Sequence, residues 1–150
     1  MIRTRALFRM EAEVASPQIV PEGPYGARRF IPVTGGRFSG ARLSGVLLPG
    51  GADCQLVRPD GAAELDVRVS LRSDDGVTFL MKGLGLRHGP PEVMARIASG
   101  EDVLPESYYF RETAMFEAPA GPLDWLNRLV AIGTGERKAG RVVIEFFEVL

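Results

Sequence analysis

Hydrophobic and polar positions alternate most strictly between Glu64 and Arg72. Leu65, Val67, Val69 and Leu71 take the odd positions, and Glu64, Asp66, Arg68, Ser70 and Arg72 take the even ones. Successive side chains of an extended chain point to opposite faces, so this stretch predicts a strand with one apolar and one polar face. After Asp75-Gly76 comes Val77–Leu86, with Val77, Phe79 and Met81 on one face, which completes a hairpin. The same reading predicts strands at Thr4–Val14, Arg28–Val33, Arg42–Leu48, Gln55–Arg58, Ser107–Phe116, Asn127–Ile132 and Arg141–Val149. Turn signals separate them at Gly35-Gly36, Gly50-Gly51, Asp60-Gly61, Asp75-Gly76 and Gly133-Thr134-Gly135. The two Asp-Gly pairs predict type I′ turns, which need positive φ at both central residues.

One helix interrupts this pattern. Pro90 to Gly100 opens on proline, carries Glu92 in its first turn and closes on glycine, with Val93, Met94 and Ile97 on one side. It is expected to lie against the sheet as a lid or plug. A second turn starts near Pro122 and contains Asp124, Trp125 and Leu126. The expected architecture is all-β: one domain over residues 1–150, an antiparallel up-and-down barrel of about eight to ten strands with one short helix.

Composition narrows the function. A chain of 150 residues that is 45% hydrophobic and 25% charged is the size and make-up of one folded domain. Lys and Arg number 18 against 19 Asp and Glu, a net charge of −1, which argues against nucleic acid or an anionic membrane as partner. One Cys excludes an internal disulfide, and one His excludes a multi-histidine metal site. The basic start at Arg3 and Arg5 is followed by Arg9, Glu11 and Glu13, so no signal-peptide core follows, and a cytoplasmic location is expected. Gly83-Leu84-Gly85 lacks the third glycine of a dinucleotide fingerprint, and there is no phosphate-binding loop or serine nucleophile elbow. Neither a cofactor nor a metal is expected.

A run of blocks carries a family resemblance. They are Gly26-Ala27-Arg28-Arg29, Ile31-Pro32-Val33-Thr34-Gly35-Gly36-Arg37-Phe38-Ser39-Gly40 and Leu47-Leu48-Pro49-Gly50-Gly51-Ala52-Asp53, then Val57-Arg58-Pro59-Asp60-Gly61 and Leu65-Asp66-Val67-Arg68. Ser73-Asp74-Asp75-Gly76, Tyr108-Tyr109-Phe110-Arg111 and Asp124-Trp125-Leu126-Asn127 complete the set. Together they resemble the domain-of-unknown-function 3237 family, also called uncharacterised protein family 0311, over residues 6 to 150. The resemblance implies a small closed β-barrel and a homodimer, found mostly in bacteria and fungi, with no settled reaction, cofactor or catalytic residue. It also implies an arginine at the position of Arg68. The family pattern has an aromatic residue, typically Trp, where this chain has Cys54, and often another where it has Asp124. If those aromatics line a pocket, the pocket here is roomier or takes a different ligand.

Several residues are candidates for chemistry, each with a plainer role beside it. If the polar face of Glu64–Arg72 looks into the barrel, Asp66 and Arg68 line a ligand cavity; if it looks outward, they are a solvated surface. Tyr109 and Arg111 share a strand face. The guanidinium suits a carboxylate or enolate, and the phenol is a possible proton donor, unless Arg111 merely pairs with Asp66 or Glu117. Asp53 follows the Pro49-Gly50-Gly51-Ala52 turn and is the candidate general base, a role that needs burial or a like charge to raise its pKa toward ~7. His88, just before the helix, is a candidate proton shuttle or an ordinary loop residue. Trp125 and Asn127 offer a stacking surface and an orienting amide, or core packing. The leading expectation is a small-molecule-binding barrel acting as a cofactor-free isomerase, lyase or hydrolase on a small carboxylated or phenolic metabolite. The alternatives are a non-catalytic metabolite-binding barrel and a homodimeric interaction protein with a packed interior.

Overall fold

Ten strands make up most of the chain in the computed structural model, which describes residues 1–150. They are β1 (Thr4–Val14), β2 (Gln18–Gly23), β3 (Gly26–Ser39), β4 (Ser44–Leu47), β5 (Ala52–Val57), β6 (Ala63–Ser73), β7 (Thr78–His88), β8 (Tyr109–Glu117), β9 (Ala131–Lys138) and β10 (Arg141–Val149). From β6 to β10 each strand pairs antiparallel with the next, β10 pairs with β1, and β1 pairs with β3. β4 and β5 lie end to end between β3 and β6, which closes the barrel, and β2 flanks β3 on the outside. Closure pairs the edges that an open sheet would expose.

The apolar face of β6 turns inward. Leu65, Val67, Val69 and Leu71 are buried, whereas Arg68 and Arg72 are exposed. One end of the interior is aromatic: Phe8, Phe38, Phe79, Phe116 and Phe146 meet in tilted and edge-on pairs with centroids 5.2 to 6.3 Å apart. Each such pair contributes ~0.5–1.5 kcal/mol beyond the area it buries. The inward positions then change character along the strands. On β7 they run Phe79, Met81, Gly83, Gly85, Arg87, and on β8 Phe116, Ala114, Glu112, Phe110. The barrel thus has an apolar end and a polar end.

The helix α1 (Pro91–Ala98) leaves the polar end after β7. Its Val93, Met94 and Ile97 are half-buried against the core, as expected of a cover. No helix is long and apolar enough to cross a membrane.

Four sequence expectations are corrected. The Asp-Gly hairpins are not type I′, because no residue other than glycine has positive φ. Instead the Gly61 N–H donates to the Arg58 carbonyl and the Gly76 N–H to the Ser73 carbonyl, with both glycines at φ 87°. That is a three-residue loop, in which the glycine one place later takes the left-handed conformation that Asp would resist. Gly35-Gly36 is not a turn but the middle of β3, where Gly36 (φ 133°) passes so close to β1 that a Cβ would run into the Glu11 carbonyl. Gly133-Thr134-Gly135 likewise lies within β9, since Gly133 sits beneath the Phe146 ring and Gly135 beneath that of Phe110. Residues 124–128, the start of which was expected to be a turn and the end a strand, form one 3₁₀ turn. β2 escaped prediction because it is exposed along its whole length and contains Pro21 and Glu22, so no alternation marks it.

A methyl group at Gly135 would collide with the Phe110 ring. Gly135→Ala is therefore expected to lower stability by ~1–3 kcal/mol in urea unfolding. An unchanged midpoint would contradict the placement of Phe110 over β9.

Candidate functional site

The polar end of the interior gathers Arg29 from β3, Asp53 and Gln55 from β5, Arg87 from β7, Glu112 from β8 and Arg137 from β9, with Tyr108 just before β8. Gln55 (2% exposed), Arg87 (5%) and Glu112 (3%) are buried, while Arg29, Asp53 and Arg137 are half-buried and form the side nearer solvent.

Local structure explains how each side chain is held. Glu112 has a glycine directly across each neighbouring strand, Gly85 on β7 and Gly133 on β9. Its carboxyl lies over Gly83, where any Cβ would displace it. Three glycines thus give one glutamate room inside the barrel. The β5–β6 ladder opens at Cys54 and Gln55, and the Asp53 carboxylate fills the gap. Its Oδ1 accepts the Asp66 backbone N–H at 3.0 Å, and its Oδ2 accepts Gln55 Nε2 at 2.8 Å. The Tyr108 hydroxyl accepts the Arg137 backbone N–H at 2.8 Å. The Arg137 guanidinium reaches back to the carbonyls of Lys138 and Arg141 at 2.6 and 3.0 Å, which leaves Arg29 and Arg87 as the guanidiniums without such anchors.

The electrostatics follow from burial. Desolvation raises the Glu112 pKa from 4.5 to about 8, and the nearby Asp53 charge pushes it the same way. Desolvation also raises Asp53, but Gln55, the Asp66 N–H and Arg87 oppose it. Burial lowers Arg87 to about 10, helped by the positive charges of Arg29 and Arg137. Arg29 and Arg137 are lowered chiefly by burial as well. At neutral pH the cluster therefore holds a protonated Glu112 and three guanidiniums beside at most one carboxylate charge, an excess of positive charge that an anion would balance. Two carboxyl groups driven apart in pKa can serve as acid and base in one site. Four buried polar atoms of the cluster lack a hydrogen-bond partner: Arg29 Nε, Arg87 Nε, Gln55 Oε1 and Glu112 Oε1. Such atoms are uncommon in folded proteins and mark places where a ligand can complete the bonding.

The residues singled out from sequence divide into three places. Asp53 belongs to the interior cluster, on β5 directly after the turn at Pro49-Gly50. Asp66 and Arg68 lie on the polar outward face of β6, 3.6 Å apart as a loose ion pair. Tyr109 and Arg111 also point outward. Arg68, Arg111 and Tyr109 therefore do not meet Asp53, because the barrel turns the apolar parity of β6 and β8 inward, and the solvated-surface alternative holds for the polar face of β6. His88, Tyr109 and Arg111 do come together, but outside: His88 stacks on Tyr109 at 4.9 Å, and Arg111 lies 5.2 Å from the Tyr109 ring. Tyr109 and Arg111 line an open depression of about 740 Å³ on the outer face of β7, β8 and β9. Trp125 and Asn127 sit at the other end, beyond the end of β8. Arg42 covers the Trp125 ring at 4.4 Å, while Asn127 clasps Ala118 through two hydrogen bonds of 2.6 and 2.9 Å. Cys54 has the opposite parity to Asp53 and Gln55 and pairs with the exposed Phe30, so the change from an aromatic residue there falls outside the interior cluster.

Glu112, Arg87, Gln55, Arg29, Arg137 and Tyr108 were not found from sequence as site residues. For Glu112 a signal was present: it shares parity with Phe110, Ala114 and Phe116, a lone charge on the apolar face of a strand. No group of three or more His, Cys, Asp or Glu side chains is arranged to hold a metal ion.

Comparison with known proteins agrees on the fold. A family model described as "Protein of unknown function (DUF3237)" matches residues 2–149. A UPF0311 protein of Rhodopseudomonas palustris is 35% identical over 149 residues, covering 99% of this chain and 97% of that one. The crystal structure of a conserved protein of unknown function from Rhodopseudomonas palustris superposes with a TM-score of 0.95 at 35% identity, covering 100% of this chain and 99% of the other. The crystal structure of an enzyme from Penicillium herquei superposes with a TM-score of 0.75 over 99% of this chain and 95% of that one; at 16% identity the likeness is one of fold.

The buried acid makes stability depend on pH. An unfolded glutamate titrates near 4.5 and the folded Glu112 near 8, so between these values the folded chain binds the extra proton. The contribution of Glu112 to stability is full below pH 4.5, declines as pH rises through 8 and then levels off. Glu112→Gln, which keeps the shape of the neutral acid, is expected to flatten that part of the profile. Urea unfolding of both proteins across this range checks it, and parallel profiles would refute a buried proton on Glu112.

Proposed function

This chain belongs to the DUF3237 family of proteins of unknown function, and we propose that it is a cofactor-free acid–base enzyme of isomerase, lyase or hydrolase type, acting on a small carboxylated or phenolic metabolite. The observation that carries the reading is the burial of a protonated Glu112 beside Asp53, which itself faces the guanidiniums of Arg29, Arg87 and Arg137. Arg29 and Arg87 hold the anionic group of the substrate. Asp53 takes a proton from the substrate, electrons shift into the anion that the guanidiniums stabilise, and Glu112 returns a proton at the neighbouring atom. A positioned acid or base of this kind contributes typically ~10²–10⁴-fold in rate. That a protein of the same fold is described as an enzyme is consistent with this reading at the level of fold only.

A panel of small carboxylates and phenols incubated with the protein in deuterium oxide tests this by proton NMR. The expected result is deuterium exchange or isomerisation of at least one compound, lost about 100-fold or more in Glu112→Gln and Asp53→Asn variants that keep the native circular dichroism. Stoichiometric binding with no exchange or turnover would support a non-catalytic metabolite-binding barrel instead.

A second reading, association of two copies of the chain, rests on a different surface. Leu80, Leu84, Met115, Val130 and Ile132 are exposed on or beside the outward side of β7, β8 and β9. Two depressions, of about 940 Å³ over β6 to β8 and about 740 Å³ over β7 to β9, lie on this side. Contiguous exposed apolar side chains mark interaction surfaces. Sedimentation equilibrium is expected to give the mass of two chains, reduced to one in a Leu84→Lys/Met115→Lys variant. A single-chain mass for the unaltered protein would rule this reading out.

A further inference from the structure

We infer that the ligand of the interior cluster is a hydroxycarboxylate, a carboxylate with a hydroxyl on the adjacent carbon, in preference to a plain carboxylate, a phenol or an amino acid. The inference rests on the reading of the cluster as an anion site and adds the identity of the anion's neighbour.

The unpartnered atoms are unlike one another. Arg29 Nε and Arg87 Nε can only donate, and a carboxylate, which can only accept, satisfies both. Gln55 Oε1 can only accept. The orientation of the Gln55 amide is set by Asp53: a carboxylate oxygen accepts, so the amide nitrogen turns to Asp53 Oδ2 at 2.8 Å and the carbonyl oxygen is left facing away. The other oxygen of Asp53 is occupied by the Asp66 N–H, which holds the pair in this arrangement. Gln55 is buried, so its oxygen calls for a donor, and no carboxylate oxygen can supply one. A ligand that bonds to the arginines and to Gln55 together must carry an anionic group and a separate donor.

The spacing follows from the sheet. Gln55 on β5 is the direct cross-strand partner of Arg29 on β3, so the donor and the carboxylate of the ligand sit close together. The nature of the donor follows from charge. An ammonium would donate to Gln55 equally well, but it would join three guanidiniums in a poorly solvated place, whereas a hydroxyl adds no charge. Glu112 Oε1, which also lacks a partner, lies over Gly83 on β7, across the interior from β3.

Isothermal titration of the full chain at neutral pH tests this with mandelate, phenylacetate and phenylglycine, which share a ring and a carboxylate and differ at one carbon. Lactate and propionate repeat the hydroxyl comparison in a smaller ligand. The hydroxy acid is expected to bind about tenfold to a hundredfold more tightly than its plain counterpart in at least one of the two pairs. Phenylglycine is expected to gain nothing over phenylacetate, and Gln55→Leu is expected to abolish the preference. Equal affinity for hydroxy and plain acids would overturn the hydroxycarboxylate assignment while leaving an anion site in place. No saturable binding of any acid would overturn the anion site itself, and the inference with it. The comparison of ligands on the unaltered protein decides the matter even if the Gln55 variant does not fold.

Discussion

A carboxyl group taken out of water with no cation bonded to it gives up its charge, and the polar end of this barrel is built around one. Glu112 enters the interior between two strands that present glycine to it, and lies over a third glycine on β7. Its burial keeps it protonated and so makes it a proton donor at neutral pH. Gln55 and the Asp66 N–H anchor Asp53 and oppose the rise that burial gives its pKa, and the Asp53 charge reinforces the neutrality of Glu112. The guanidiniums of Arg29, Arg87 and Arg137 face Asp53 and one another, so the polar end combines a buried acid, a carboxylate and an excess of positive charge.

Such a cluster costs stability, and the rest of the barrel offsets it. Edge-on aromatic pairs fill the opposite end, and the closed sheet fixes the register that aims each polar side chain. The division of labour runs along single strands: β7 starts with Phe79 in the aromatic cluster and reaches Arg87 in the polar one, and β8 runs from Glu112 to Phe116 in the reverse sense. Sites placed on paired strands are held more firmly than sites on loops, which suits a pair of carboxyl groups whose roles depend on small differences in surroundings.

The barrel was legible in the sequence where one rule governed each residue. The alternation of Leu65, Val67, Val69 and Leu71 marks β6, and Pro91, Glu92 and Gly100 bound α1. Glycine was harder to read because it signals both a turn and a lack of room. Gly61 and Gly76 end loops, but Gly36, Gly133 and Gly135 are strand residues that let a neighbouring strand or ring approach. The site was legible only at Asp53. Attention to polar faces led to Arg68, Tyr109 and Arg111, which face outward, because a strand's polar face is its solvent face when the apolar one fills a barrel. The informative residues were the exceptions on the apolar face, Glu112 among Phe110, Ala114 and Phe116, and Arg87 in line with Phe79 and Met81. Pairing between distant strands brings these together, and no local pattern encodes that pairing.

The chemistry of the polar end therefore depends on the protonation state of one side chain, Glu112. Carbon-13 NMR of protein labelled at glutamate side-chain carboxyls, with the Glu112 resonance assigned by its loss in Glu112→Gln, reads that state directly. A buried neutral Glu112 keeps the chemical shift of a protonated carboxyl at pH 7 and titrates near 8, apart from the other glutamates. A Glu112 carboxyl that is already ionised at pH 5, together with the surface glutamates, would contradict this.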